Sequence, residues 1–266
     1  MVTTIYYDTI SGKPFRDLSR DRKSLFLSTE PYFIKRSRED GEKDLEELVD
    51  TEENEGCWLF DTKRERWYNL VEEHSTTKEN GEIVELSCQN ISLEATGEMQ
   101  LMVGNCSHYH THPKRIGETF KRQIKQIEST LDKPLSVRKE RSIDCAVAIN
   151  ISLPSIDDIR AYKNISNILP ALNVDFRIAS PYGLITVVFK KSAKKANEIY
   201  QTYDKMRNNG LEVIYSKDAF YSPEYESHAV LQGIKYFRSE MKQHLRIDFK
   251  FKKNWQINNF DLSDSR

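Results

Sequence analysis

The sequence predicts a mixed α/β fold in which a central, mixed and largely antiparallel sheet is flanked by helices. Two observations predict it. Short apolar runs are joined by hairpin turns, and between them lie segments whose apolar residues recur at helical spacing. Because strands and helices alternate along the chain, we expect them to form one layered structure of sheet and helices.

The bulk composition is that of an ordinary globular protein. Of 266 residues, 38% are hydrophobic and 30% are charged, and the net charge is −1. This balance gives no electrostatic reason to expect nucleic acid or an anionic membrane as a partner. No apolar run approaches the roughly 20 residues that span a bilayer, and the first residues lack the pattern of a secretory signal. We therefore expect a cytoplasmic protein, or a nuclear one if its source has a nucleus.

The N-terminal half is predicted to contain a charged segment followed by strands. Residues 35–55 are almost entirely charged and form either a solvated helix or a mobile segment. The apolar runs at 56–60 and 66–71 flank a polar turn and predict a hairpin. Residues 83–93 alternate well enough for another strand, and 99–104 lead into a strand that carries histidines.

The C-terminal half is predicted to alternate helices and strands. Helices are indicated by apolar residues at helical spacing and by capping residues, and strands by compact apolar runs. In chain order these patterns predict a helix at 118–132, a strand at 145–153, a helix from about 154 to 168, a hairpin of strands at 176–180 and 184–189, a helix at 192–210, a helix at 225–245 and a strand at 246–251.

Three histidines alternate in the sequence SHYHTHP at 107–113. Successive side chains of a strand point to opposite faces, so His108, His110 and His112 share one face. Pro113 cannot donate to a strand ladder, so we expect the strand to end there with the histidines at its rim. Two imidazoles at i and i+2 can converge on one cation, and neutral imidazole suits zinc. The pattern predicts a metal site at His110 and His112, with His108 as an alternative partner.

A carboxylate for this metal is predicted at the start of the helix that follows Pro154. Ser155 would be the N-cap and Asp158 the third helical residue, so both side chains would point toward the space before the helix. The helix dipole favours an anion there. Taken alone, S-x-x-D is an ordinary capping pattern with a structural explanation. Since two imidazoles do not complete a zinc site, Asp158 is the predicted third ligand.

Together these segments resemble a known metalloprotease signature. HTHP at 110–113 followed by PSIDD at 154–158 resembles the H-[ST]-H-P…S-x-x-D motif of the JAMM (JAB/MPN) family. Residues 178–189 resemble the strand-turn-strand that follows the signature helix in that family, and the resemblance covers roughly 50–190. It implies a three-layer fold of the cytidine-deaminase-like kind. It also implies zinc held by His110, His112 and Asp158, with Ser155 assisting the tetrahedral intermediate.

The spacing of the two parts departs from the family pattern. The family keeps them close together, whereas 42 residues (113–154) separate His112 from Ser155 here. We interpret this as an inserted helix and strand at about 114–150, beside the active site, which a loop can accommodate. The predicted domains are then an N-terminal extension (1–50), a JAMM-like core with the insertion (51–215) and a C-terminal helix and strand extension (216–266).

Basic residues are concentrated in the predicted insertion. We interpret them as a solvated face, and the alternative is a contact for an acidic partner or nucleic acid. The residues are Lys121, Arg122, Lys125, Arg138, Lys139 and Arg141.

The resemblance also implies an upstream glutamate that acts through the zinc-bound water. The family places it just before or at the start of an apolar strand, in patterns such as E-x-x-G. The sequence ENEGCWLF at 53–60 fits, with Glu53 at the family's offset from Gly56. Glu53 is therefore the predicted base and Glu55 the alternative base, although a glutamate is by default a solvated side chain.

The predicted function is a zinc-dependent peptidase or isopeptidase that uses metal-activated water. The resemblance implies a protein substrate, with removal of ubiquitin or a ubiquitin-like protein as the family expectation. The alternative is a catalytically inactive MPN-type scaffold for protein interactions, because many proteins of that family serve in this way. A cupin-like metal protein ranks last, since Glu118 and the glycines do not follow the cupin spacing.

Overall fold

A computed structural model describes residues 16–17, 32–51, 55–69, 71–79, 82–90, 105–131, 135–168, 173–190, 196–210 and 224–252. Within these ranges the chain is a mixed α/β structure, which confirms the predicted fold class. In the described part of the chain, eight strands form one sheet and two further strands form a separate hairpin.

The described strands are, in chain order, β1 (Arg16–Asp17), β2 (Tyr32–Lys35), β3 (Cys57–Asp61), β4 (Arg66–Asn69), β5 (Val71–Glu79), β6 (Glu82–Asn90), β7 (Asn105–Thr111), β8 (Asn173–Ser180), β9 (Gly183–Phe189) and β10 (Leu245–Phe251). The order in the large sheet is β1-β2-β4-β3-β7-β8-β9-β10. The pairs β1–β2 and β7–β8 are parallel and the other neighbours are antiparallel. The sheet is thus mixed and largely antiparallel, as predicted, with β7 near its middle.

The predicted hairpins are confirmed as β3–β4 and β8–β9. The strand predicted at 83–93 corresponds to β6, which pairs with β5 outside the large sheet. Residues 99–104 lie outside the described ranges. Both predicted terminal extensions contribute to the large sheet, because β2 pairs with β4 and β10 pairs with β9.

The helices of the described ranges are α1 (Arg38–Thr51), α2 (Lys114–Leu131), α3 (Val137–Ser152), α4 (Ile156–Ile168), α5 (Ala196–Gly210) and α6 (Tyr225–Met241). Helices α2, α4, α5 and α6 match helices predicted from the sequence. Among the described helices, none is both long enough and apolar enough to cross a lipid bilayer.

Helices cover the sheet on both faces around β7. One buried cluster joins residues of α3, α4, α5 and α6 to β8, β9 and β10, and includes Phe176. The second joins α1 to β2, β3 and β4, and includes Tyr109. Because side chains alternate along a strand, Tyr109 packs toward α1. His108 instead lies against Phe176, with ring centroids 5.9 Å apart.

The charged segment at 35–55 contains α1, which is only partly solvated. Leu45, Leu48 and Val49 recur at helical spacing and are buried against the sheet. At Gly41 the helix approaches so closely that an added Cβ would lie 2.2 Å from Cε2 of Trp67. Of the two expected alternatives, a solvated helix or a mobile segment, the described residues form the helix, and one of its faces is buried because a short apolar stripe anchors it.

The prediction of a strand at 145–153 is wrong, because residues 145–152 form the second half of α3 and Leu153 is its C-cap. Ser136 caps this helix, and its hydroxyl accepts the Lys139 N–H at 3.3 Å. The apolar run is continuous because α3 packs against both the sheet and α6. Ile149 is fully buried, 2.8 Å from where a Cβ on Gly233 would stand. A short apolar run fits a buried strand and a buried helix equally well.

Two of the basic residues on α2 tie this helix to its neighbours. The ammonium of Lys121 lies 2.6 Å from a carboxylate oxygen of Glu226 on α6. Lys125 makes a similar contact of 2.8 Å with Asp144 on α3. These basic side chains therefore hold α2 against the body of the protein.

Candidate metal centre

The site begins at the C-terminal end of β7, a strand near the middle of the sheet. Thr111 is the last strand residue, and the His112 N–H donates to the Ala179 carbonyl at 2.8 Å, which continues the pairing with β8. Pro113 has no N–H to offer, and α2 starts at Lys114. As predicted, the strand ends beside the proline and leaves two histidines at its rim.

Asp158 is held by the first turn of α4. Its Oδ2 accepts the Ser155 N–H at 2.7 Å, and the Asp158 N–H donates to Ser155 Oγ at 3.0 Å. This is the reciprocal arrangement of a capping box. Burial alone would raise the pKa of Asp158, but the neighbouring His110 and His112 and the hydrogen bonds from Ser155 outweigh it and lower the pKa. The carboxylate is therefore kept ionised and in a fixed direction.

Glu55 enters the site from the segment just before β3. In the β3–β7 pair, Cys57 stands opposite His110, which brings the residues before Cys57 alongside the end of β7. Position 56 has no room for a side chain, because a Cβ there would lie 1.9 Å from the Trp58 ring. Glu55 is partly buried, with its carboxylate turned toward His110.

The ligand atoms of Glu55, His110 and His112 all lie within 4.8 Å of one another, so this buried group could bind a metal ion. Nε2 of His110 lies 3.4 Å from Glu55 Oε2 and 3.8 Å from Asp158 Oδ1. Nε2 of His112 lies 4.0 Å from Glu55 Oε1 and 3.7 Å from Asp158 Oδ2. A tetrahedral zinc with ligands at about 2.0–2.1 Å separates its donor atoms by about 3.3 Å. The four separations between an imidazole Nε2 and a carboxylate oxygen, 3.4–4.0 Å, are thus close to zinc spacing.

The His112 ring is oriented by a backbone carbonyl. Its Nδ1 lies 2.9 Å from the carbonyl oxygen of Ile151, in the last turn of α3. A carbonyl only accepts, so Nδ1 carries the hydrogen and the neutral ring keeps its Nε2 lone pair for the site. Such a bond to the outer nitrogen is typical of metal-binding histidines. The sequence pattern does not predict this contact, because it depends on residues 145–152 being helical.

The structure brings together five residues singled out from the sequence, namely Glu55, His110, His112, Ser155 and Asp158. The 42 residues between His112 and Ser155 do not separate them, because the end of α3 lies beside His112, at the Ile151 carbonyl, and α4 begins shortly after α3 ends. Glu53, the predicted base, lies outside the described residues. The individual roles of these residues stay predictions.

Two other residues of β7 that carry potential ligand atoms, His108 and Cys106, are buried in the core. Nε2 of His108 lies 3.0 Å from Sγ of Cys57, and the His108 ring packs on Tyr162 and Phe176. Burial raises the pKa of the Cys106 thiol to about 12, so it stays protonated and is a poor ligand. His108 therefore belongs to the core under the site.

A pH dependence of stability follows from His108. Burial, aided by the charge of His110, lowers its pKa from 6.5 to about 3. Between pH 6.5 and 3, His108 is protonated in the unfolded chain but stays neutral in the folded chain. The contribution of neutral His108 to the free energy of unfolding is therefore complete above pH 6.5. It declines as the pH falls from 6.5 toward 3, by about 1.4 kcal/mol per pH unit. Urea unfolding of chelator-treated protein at pH 7, 6 and 5 measures it.

His108→Gln is the matched variant for this prediction, because glutamine does not titrate. Acid also weakens contacts of carboxylates, so the prediction concerns the difference between the two proteins. Wild type should lose stability more steeply than the variant below pH 6.5. Equal slopes would show that His108 is readily protonated in the folded state.

Comparisons with protein-family models, with curated proteins and with solved structures gave no match for this chain. Its fold and site define the chain as a mixed α/β protein. Its candidate metal centre consists of two histidines and neighbouring carboxylates at the C-terminal end of β7.

Proposed function

We propose that this protein is a zinc-dependent hydrolase of JAMM type that cleaves peptide or isopeptide bonds. The observation that carries the proposal is the convergence of His110, His112, Asp158 and Glu55, with 3.4–4.0 Å between each imidazole Nε2 and each carboxylate. Two imidazoles and a carboxylate are the ligand set of many catalytic zinc sites, which keep one position open. The HTHP and S-x-x-D segments that supply three of these residues are also those that resemble the JAMM signature.

In this proposal, His110, His112 and Asp158 hold the ion and Glu55 is the base. When bound, zinc supplies a Lewis acid and lowers the pKa of water at the open position. Glu55 takes a proton from the attacking water and passes it to the leaving nitrogen. Its carboxylate oxygen Oε2 is 3.4 Å from Nε2 of His110, so Glu55 lies beside the residues that would hold the ion.

Ser155 is the proposed donor to the carbonyl oxygen of the substrate. Its oxygen accepts the Asp158 N–H at 3.0 Å, which fixes the side chain, while the hydroxyl hydrogen can still be donated. A donor placed where negative charge develops typically contributes a few kcal/mol to catalysis. Ser155 thus has a structural role as a helix cap and a chemical role toward substrate.

The proposed substrate is a protein joined through its C-terminus to a lysine or to a following peptide. The family resemblance points to ubiquitin or a ubiquitin-like protein in the cytoplasm. The alternative, an inactive scaffold on the same fold, predicts a folded protein that binds zinc but cleaves nothing.

The experiment is a cleavage assay on zinc-loaded protein, with lysine-linked diubiquitin and a fluorogenic C-terminal amide of ubiquitin as substrates. We expect hydrolysis that a chelator abolishes and added zinc restores. Activity that persists in chelator would contradict a metal-dependent mechanism. Zinc binding without cleavage of either probe would favour the scaffold.

A further inference from the structure

Thr111 stands between the two histidines of the site, but its backbone and hydroxyl are both used to hold the segment that carries Glu55. The residue is fully buried. Its hydroxyl oxygen accepts the Gly56 N–H at 2.7 Å, and its own N–H donates to the Gly56 carbonyl at 3.0 Å. We propose that Thr111 is a positioning residue that fixes Glu55 over the metal site. This inference rests on the proposed function and adds to it a residue that touches neither metal nor substrate.

The Gly56 contact extends the β3–β7 pairing past the last paired residue of β3. The paired register ends with Cys57 opposite His110. One position further on, both polar backbone groups of Gly56 bond to Thr111, one of them through the side chain. Glu55 directly precedes Gly56, so its backbone is only one residue away from the hydrogen bonds that join Gly56 to β7.

The hydroxyl is needed because it is the acceptor of a buried Gly56 N–H in a closely packed place. The contact is buried, and the Trp58 ring occupies the space where a Cβ at position 56 would lie. A buried N–H that loses its acceptor is costly, so the segment would move to regain one. Since Glu55 directly precedes Gly56, such a movement would displace its carboxylate.

Removing the hydroxyl should therefore affect the site through Glu55 and leave the ligand histidines in place. The His112 N–H donates to Ala179 and its ring is held by Ile151, and neither contact involves the Thr111 hydroxyl. Loss of an outer partner of a metal site typically lowers metal affinity or activity about 10- to 100-fold. We expect Thr111→Val to be at the lower end of that range, about tenfold.

The test is a double-mutant cycle read by Co²⁺ binding, followed through the visible absorption of the bound ion. Wild type, Thr111→Val, Glu55→Gln and the double variant are titrated with Co²⁺, and metal-free thermal unfolding of each checks that it folds. Each single change should weaken Co²⁺ binding about tenfold, and the double variant should be no weaker than Glu55→Gln alone. Thr111→Ser keeps the hydroxyl and should restore wild-type affinity.

Two outcomes would overturn this role. The first is that Thr111→Val binds Co²⁺ like wild type. The second is that its effect adds in full to that of Glu55→Gln, which would show that it does not act through Glu55. If the valine variant does not fold, Thr111→Ala removes the same hydroxyl and enters the same cycle. Failure of wild type to bind Co²⁺ is a separate result, because it would remove the proposed metal site itself.

Discussion

His110→Ala is expected to lower zinc affinity by about a hundredfold or more, because it removes one of three proposed ligands from a small buried site. Both carboxylates lie within 4 Å of the His110 ring, so its loss also removes one of the two imidazoles that face them. Competition with a chromophoric zinc chelator measures the affinity.

His244→Ala is the matched control for this loss. His244 lies outside the site, beside Thr202 of α5, with 3.3 Å between its Nε2 and the threonine hydroxyl. The control should keep wild-type zinc affinity. Equal affinities for His110→Ala and His244→Ala would contradict the assignment of His110 as a ligand.

Glu55→Gln is expected to reduce hydrolysis by about a hundredfold to ten-thousandfold at saturating zinc, the range typical for loss of a general base. Glutamine has nearly the same shape but cannot take up the proton. Zinc binding should weaken only about tenfold, because Glu55 acts as an outer partner in this account. Rates of diubiquitin cleavage, measured with zinc in excess, separate the two effects.

Glu53→Gln is the natural comparison, since Glu53 stands at the family's offset from Gly56. The geometry of Glu55 leads us to expect full activity in Glu53→Gln. The reverse pattern, with an active Glu55→Gln and an inactive Glu53→Gln, would return the base to the residue that the sequence pattern favours.

The histidines and Asp158 could be predicted because short-range rules place them. Alternation along a strand puts His110 and His112 on one face, and Pro113 ends that strand. A capping pattern fixes the direction of Asp158 from Ser155 alone. None of these arguments requires knowledge of which strands are neighbours.

The choice of glutamate could not be made in this way. Glu53 and Glu55 are two residues apart, and the one that reaches the histidines depends on the register of β3 against β7. That register, with Cys57 opposite His110, is a property of the assembled sheet. The positioning role of Thr111 has the same origin, since only this pairing brings Gly56 beside it.

The prediction for the segment between the two halves of the motif was wrong in one element, the strand at 145–153. Residues 145–153 were expected to be a strand, because periodicity alone does not separate a buried strand from a buried helix. As a helix, α3 supplies the Ile151 carbonyl that orients His112 and delivers the chain directly to Ser155. The long spacing is therefore compatible with one compact site.

The central claim is tested most directly by diffraction from zinc-loaded crystals at the zinc absorption edge. The account predicts an anomalous peak within about 2.2 Å of Nε2 of His110, Nε2 of His112 and a carboxylate oxygen of Asp158. A zinc peak at another place in the protein, or a zinc held by the two histidines with the Asp158 carboxylate turned away, would contradict the account.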